Sequence, residues 1–386
     1  MRILRVISSL NPASGGPGEG LRQMIAAMRS EHVNEVVTLD HPQSPWLSDV
    51  FFQVYALGPT HLGSYRYTGR LIPWILEHGN EFDLVIIHGI WQYHSYALWK
   101  ALKKSGVPYL IYLHGMLDPW FKKTYPLKHL KKWLYWPWAE YRVLRDAKAV
   151  LFTCEEERLL ARRSFWLYKC NETVVGYGTS QPKGDAIQQR TLFLSKFPEL
   201  NGKRLFLFLS RIHEKKGCDL LIEAFAKVAE NDPSLHLVMA GPDQTGWRLD
   251  LVELSIRLGL ESRITWTGMI LGDLKWGACH ASEVLVLPSH QENFGVIVAE
   301  ALACGLPVLI SNKVNIWREI DEAEAGLVAE DNLEGTTELL RKWLSMESAQ
   351  RDSMRKNAVA CFMSRFDIDK AAKNLLKIIE DEAKKI

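Results

Sequence analysis

The sequence predicts an α/β protein made of two doubly wound βα domains in tandem. Three observations carry this. Short apolar runs alternate with helical patterns along the whole chain. The predicted strands, such as "DLVIIH" and "PYLIYLH", are apolar on both faces, as parallel strands covered by helices must be. A chain of 386 residues is also long for one core and suits two.

In the first half the expected strands are 2–8, 33–39, 51–57, 83–88, 108–113, 148–153 and 172–177. Helical periodicity fills 18–30, 92–104, 127–145 and 155–163. The pattern restarts at "LFLFLS" (205–210) and continues through 235–241, 263–268, 284–289, 307–311 and 326–329. Helices are expected near 217–230, 246–259, 294–303 and 333–345, then 347–363 and 366–384 without an intervening strand. The polar, glycine-containing stretch 176–203 reads as the hinge. The expected domains are therefore 1–178, 179–364, and a C-terminal helix at 365–386 that packs back on the first domain.

Composition narrows the class. The hydrophobic fraction is 47% and the charged fraction 24%, values of a globular protein. No apolar run approaches the ~18 residues that span a bilayer. The N-terminal "RILRVI" is too short for a secretory signal and reads as a first strand. Six scattered cysteines without a C-x-x-C pair point to reduced structural thiols and a cytoplasmic setting. The net charge of +2 is uneven: residues 1–180 carry 21 Lys and Arg against 15 Asp and Glu, the remainder 26 against 30. That is too mild for a dedicated nucleic-acid binder, although a basic first half favours an anionic partner.

The chemistry concentrates in two stretches. In "PSHQENFGVIVAEALACGLPVLIS" (288–311) a strand ends, a loop carries Glu292, Asn293 and Gly295, and a helix opens near Phe294. Glu292 lies before the helix and Glu300 two turns inside it. Carboxylates so placed suit a hydroxyl-rich ligand, because each oxygen pair accepts from adjacent hydroxyls. A capped helix with solvated glutamates is the plainer alternative. In "LFLFLSRIHEKKGCDLLIEAF", Arg211 follows a strand directly and Lys215, Lys216 and Gly217 open a helix. A forked donor and a point charge there suit a diphosphate. Each is worth on the order of 4 kcal/mol before desolvation at an effective dielectric of ~20.

The order S-R-…-K-K-G (210–217), M-A-G-P (239–242), W-T-G (266–268) and P-S-…-E-N-F-G-…-E-A-L-A-C-G-L-P-V (288–308) resembles the retaining glycosyltransferases of the large GT4, or group 1, family. These have the GT-B fold, two facing Rossmann-like βα domains with an interdomain cleft. The resemblance covers the whole second half, and the first half through a glycine loop and an "HG" after a strand. It implies that Glu292 contacts hydroxyls of a donor sugar and Glu300 holds ribose hydroxyls. It implies that the backbone of Asn293, Phe294 and Gly295 lines the sugar and diphosphate, while Arg211 and Lys216 neutralise the diphosphate. Met269 and Ile270 would meet the nucleobase through their main chain, with Leu274 nearby.

Two histidines follow strands in the first half. The family favours His114 as the one facing the reacting sugar, with His88 second. Asp118 is a candidate to orient His114 or the acceptor. The implied reaction is metal-free hexosyl transfer from a nucleotide sugar with retention, through a front-face route needing no enzyme nucleophile. No cofactor is expected. The D-x-D string at 367–369 reads as helix capping. The run H-G-M-L-D-P-W…K…L-K from 114 narrows the resemblance to bacterial exopolysaccharide glucosyltransferases, including those of cyanobacterial envelope polysaccharide. UDP-glucose is thus the preferred donor and polysaccharide or glycolipid synthesis the setting. Alternatives are a nucleotide-sugar epimerase of the same fold or a non-catalytic sugar-nucleotide-binding protein.

Two features stay open on sequence grounds. Residues 119–142 hold six basic residues, one acid and eight aromatics. They suit reversible contact with an anionic membrane at the inner face of the plasma membrane, where a lipid-linked or polysaccharide acceptor would dock, or equally a packed aromatic helix. The loop "NPASGGPGEG" lacks the dinucleotide fingerprint. Gly15 and Gly16 match a family loop whose backbone approaches the donor phosphate, the other reading being a flexible turn.

Overall fold

The Val-, Ile- and Leu-rich runs form strands, and every pairing between these strands is parallel. The computed structural model describes residues 1–12, 16–230 and 232–383. The chain divides into one unit of Met1–Gly178 with Ile368–Ile386 and a second of Thr179–Asp367.

The first unit holds a seven-stranded sheet: β1 (Arg2–Ile7), β2 (Val33–Thr38), β3 (Val54–Ala56), β4 (Leu84–His88), β5 (Tyr109–Tyr112), β6 (Ala149–Phe152) and β7 (Glu172–Val174), in the order β3-β2-β1-β4-β5-β6-β7. Side chains alternate across it, as strand geometry requires. Leu4, Val6, Val85, Ile87 and Ile111 build the core on one face. Ile3, Ile86, Leu110 and Leu151 build the other with Met24 and Met28 of the helix Gly16–Met28. The final helix, Ile368–Ala383, covers that second face with Ile368, Ala371, Ala372, Leu375 and Ile379, a stripe at helical spacing.

The second unit holds six strands: β8 (Arg204–Leu209), β9 (Leu235–Ala240), β10 (Ile264–Gly268), β11 (Val284–Leu287), β12 (Val308–Ser311) and β13 (Gly326–Ala329), in the order β10-β9-β8-β11-β12-β13. In both sheets the chain starts near the middle, extends to one edge and returns to build the other. This puts a topological switch point beside β1 and β4 in one unit and beside β8 and β11 in the other. Loops leaving strands that diverge there form a crevice at their carboxyl ends.

Several expectations need correction. The stretch 176–203 is not a bare linker, because it contains the helix Ala186–Lys196, capped by Asp185 accepting from the Gln188 amide at 2.8 Å. That helix lies against another that periodicity did not show, Asp273–Ala281. The two pack so closely at Gly277 that a Cβ there would fall 2.2 Å from the Gln189 carbonyl oxygen. The helix expected over 127–145 is two helices, Pro126–Tyr135 and Glu140–Asp146. Pro137, which lacks an amide proton, stands in the break. The junction placed at 364/365 falls at 367/368. Within the second unit the helix Ser348–Cys361 runs into a π-helical turn, Phe362–Phe366, whose Phe366 packs against Phe294, ring centroids 5.6 Å apart.

A carboxyl group sits wholly buried in the first unit. Glu140 Oε1 accepts from the Trp91 amide at 2.8 Å and the Ser95 hydroxyl at 2.9 Å. Burial pushes its pKa up to about 7, against the pull of those two donors and of Lys132. The fold therefore favours the protonated form. Its stabilising contribution is complete below the ordinary value of 4.5 and disappears as pH rises through about 7. Glu140→Gln, neutral at every pH, is expected to flatten the loss of thermal stability between mildly acidic and mildly alkaline buffer. An unchanged pH slope would show that Glu140 does not carry it. Gly277→Ala should destabilise the second unit by about 1–3 kcal/mol in urea unfolding, since the added methyl must push two helices apart. A wild-type midpoint would contradict this packing.

Candidate functional site

At the carboxyl ends of β8 and β11 two loops interlock. After β8 come Ser210 and Arg211, then a 3₁₀ turn, Glu214–Lys216, in which His213 Nδ1 accepts from the Lys215 amide at 3.1 Å. Gly217 ends the turn at φ 64° and opens the helix Cys218–Ala229. A Cβ at Gly217 would lie 2.3 Å from the Pro288 carbonyl oxygen at the end of β11. Only glycine combines that backbone conformation with that approach. The His290 amide then donates to the Lys215 carbonyl at 2.9 Å, closing the contact.

The consequence is an ion pair between the two loops, Lys216 Nζ to Glu292 Oε2. Lys216 is 4% exposed, so its charge is delivered into the crevice instead of to solvent. The Glu292 backbone is pinned in turn: its amide donates to the Lys313 carbonyl at 2.9 Å, and its carbonyl accepts from the Asn315 amide at 3.0 Å. Burial opposes ionisation of Glu292. Lys216, with Lys215 and Arg211 behind it, outweighs that and holds the carboxyl below its usual range. Arg211 itself is exposed, its guanidinium donating to Gln244 Oε1 at 3.2 Å.

The helix expected from 294 starts at Val296 and runs to Ala303, with Gly295 before it at φ 72°. Phe294 is a core side chain and Asn293 Oδ1 lies 3.5 Å from Asn315 Nδ2, so the segment can offer backbone more readily than side chains. Glu300 is almost buried and paired with Lys275 Nζ at 2.7 Å. Sequence periodicity does not reveal Lys275 as the partner, because it lies on the glycine-containing helix Asp273–Ala281. Met269 is exposed just past the end of β10, Ile270 is buried and Leu274 half-buried. The structure thus brings Arg211, Lys216 and Glu292 together at one switch point, with Glu300 held by Lys275.

The first unit gathers imidazoles at its own strand ends. His88 closes β4, and His114 follows β5 at φ 51°. Their rings stack, and His88 Nδ1 lies 3.1 Å from His114 Nε2. Burial lowers the His114 pKa to about 4. Burial, then the neighbouring His114, Arg5 and His94, holds that of His88 well below the ordinary imidazole value. Both rings are therefore neutral hydrogen-bonding groups at neutral pH. Asp118 Oδ1 accepts from the Trp120 amide at 2.8 Å and so secures the start of the helix Trp120–Thr124.

Two other carboxylates, missed in the sequence because they are isolated letters, hold these loops. Glu157 Oε1 accepts from the Gly115 amide at 2.5 Å, while its Oε2 accepts from the Thr153 amide and hydroxyl at 2.7 Å. Asp40 accepts from the Ser9 hydroxyl and the Leu10 amide, both at 2.7 Å, and so anchors the loop after β1. Gly15 lies outside the described residues. Gly16 begins a helix and is exposed. Gly20 serves packing, since a Cβ there would overlap the Tyr177 hydroxyl. Asp367 and Asp369 stand at the junction and in the first turn of the last helix. Among the described residues no three His, Cys, Asp or Glu side chains gather as a metal site.

Residues 190–361 match the family model of glycosyl transferases group 1, and residues 15–178 that of the glycosyl transferase 4-like domain. A D-inositol 3-phosphate glycosyltransferase of Rhodococcus opacus is 34% identical over 128 residues, 32% of this chain and 29% of that protein. The alpha-D-kanosaminyltransferase of Streptomyces kanamyceticus is 28% identical over 192 residues, 50% of this chain and 49% of that one. The aligned region therefore spans under a third of the first relative and about half of the second. The crystal structure of Anabaena HepE in complex with UDP and glucose has a TM-score of 0.77 to this chain at 17% identity, covering 98% of this chain and 99% of that one. This likeness establishes a shared fold. With both halves matched and that architecture in place, the chain belongs to the group 1, GT4-type glycosyltransferases of the GT-B fold.

Proposed function

We propose that the chain transfers a hexose, preferentially glucose from UDP-glucose, to a hydroxyl of a polysaccharide or lipid-linked glycan, with retention at the anomeric carbon and without a metal. The observation that carries this is the Lys216–Glu292 pair at the β8/β11 switch point. An ammonium has three donors, so Lys216 can hold Glu292 and still donate to a phosphate oxygen. The cation keeps Glu292 ionised and able to accept from adjacent sugar hydroxyls. Arg211 adds a forked donor for the diphosphate. As the glycosidic bond breaks, charge grows on the leaving diphosphate. Cations already in place stabilise that state more than the bound substrate, which is what lowers a barrier.

In this reading Glu300, oriented by Lys275, takes the ribose hydroxyls, and the main chain at Met269 and Ile270, with Leu274 beside it, takes the base. The backbone of Asn293, Phe294 and Gly295 lines the sugar and diphosphate. Neutral His114 donates to or accepts from a sugar hydroxyl. His88 and Asp118 are assigned to the acceptor side, and Gly15 and Gly16 to the donor phosphate. The UDP and glucose held by Anabaena HepE, a protein of the same fold, support the choice of donor. The reading also assigns the chain to the cytoplasm.

UDP is expected to raise the melting temperature, and free UDP should be released from UDP-glucose only when an acceptor glycan is present. Sugar interconversion without UDP release would indicate an epimerase instead. Lys216→Met should lower kcat/KM by about 10²–10³-fold and shrink the UDP-induced shift. Turnover at the wild-type rate in that variant would remove the diphosphate role. Because His114 protonates only near pH 4, log kcat/KM should stay level across the pH range where ordinary histidines titrate. An inflection near 6.5 that His114→Asn abolishes would contradict the neutral role given to this ring.

A further inference from the structure

We infer that the helix Pro126–Tyr135, with the segment that follows Ala161, forms a docking face for an anionic phospholipid bilayer. The helix buries none of its residues. On a helical projection Leu127, Leu130, Trp133 and Leu134 occupy one arc, and Lys128, Lys131 and Lys132 occupy another. The apolar arc faces outward: Leu127 is 78% exposed, Leu134 60%, Leu130 55% and Trp133 42%. Packing is satisfied next door, where Trp136 is fully buried against Phe165. The exposed arc is therefore not a core stripe that the fold has yet to cover.

Beside the helix runs a groove of about 650 Å³ lined by Lys122, His129, Leu130, Trp133, Arg163 and Trp166, among others. Trp133 and Trp166 meet across it, ring centroids 5.8 Å apart. Trp166, Leu167 and Trp138 extend the exposed apolar surface. Lys122, Lys123, Lys128, Lys131 and Arg163 are exposed around it and carry no ion-pair partner among the described residues. Among the described residues no helix is long and apolar enough to cross a membrane.

Charge and shape choose the occupant. Cations ringing exposed leucines and tryptophans match a bilayer interface, where apolar side chains enter the acyl boundary and lysines meet anionic headgroups. A second copy of the chain would set these lysines against one another across a two-fold axis. A nucleic acid would use the cations and rings but leave three leucines exposed to water. Docking of this face needs no nucleotide and is independent of the transfer reaction.

The test is vesicle co-sedimentation of the full chain at physiological ionic strength. One vesicle set is phosphatidylcholine alone and the other one quarter phosphatidylglycerol. Binding is expected to the anionic set only. Neutralising Lys122, Lys123, Lys128 and Lys131 to Gln should lower the partition coefficient on the order of a hundredfold. Leu127→Gln with Leu130→Gln and Leu134→Gln should lower it about tenfold or more. Far-UV circular dichroism, melting temperature and the UDP-induced shift are expected to stay at wild-type values in both variants, which separates this test from that of the donor site. Absence of binding to anionic vesicles, or equal binding to neutral ones, overturns the proposal. Anionic binding that survives the leucine changes also overturns it, in favour of a site for a soluble polyanion. Loss of a dimer in the leucine variant would mark the face as a self-association surface instead.

Discussion

Everything at the second unit's strand ends depends on a lysine being forced into a crevice. Lys216 would spread its charge into water if it could, because a buried ammonium is costly unless paired. It is kept inside because Gly217 lets the β8 loop press onto the end of β11, and the His290–Lys215 backbone hydrogen bond locks the two together. Glu292 supplies the counter-charge from the other loop. Removing either partner would leave an uncompensated buried charge, so the pair and the loop geometry reinforce each other. The cation is held in place by the protein's own carboxylate.

The first unit solves a different problem with the same material. Its strand-end loops must be rigid without regular hydrogen-bonding partners, and buried carboxyl groups provide them. Asp40 secures the chain after β1, Glu157 the chain after β5 and β6, and Glu140 the turn at Trp91. Each accepts from backbone amides that would otherwise be orphaned, so a lost carboxylate would also expose a buried donor. Within that frame the two histidines are close together, His88 buried and His114 half-buried, and desolvation keeps them neutral. A neutral imidazole pair can donate and accept hydrogen bonds without placing a positive charge among these loops.

Much of this was legible in the letters. Thirteen apolar runs read as strands are strands, because a two-sided parallel sheet writes itself as uninterrupted Val, Ile and Leu. Arg211, Lys216 and Glu292 each follow the end of a strand, and strand ends in such sheets converge at a switch point. Lys275 was not legible, since it reaches Glu300 from a helix whose pattern is blurred by glycine and cysteine. Ala186–Lys196 was hidden by the polar residues around it, and its contact at Gly277 shows only in three dimensions. Glycines 16 and 20 look alike in sequence, yet one opens a helix at the surface and the other makes room for Tyr177.

The sequence by itself determined the fold class, the two-sheet plan and the residues that carry charge to the strand ends, because periodicity and strand-terminal position are local properties. Tertiary structure alone decided which charges meet, which imidazoles come together, and whether residues 126–135 are core or surface. Those outcomes depend on burial and on neighbours distant in sequence. A stretch rich in tryptophan and lysine is written identically whether its apolar arc is covered or not. Here the buried Trp136 takes the packing role, and the helix before it is left facing outward.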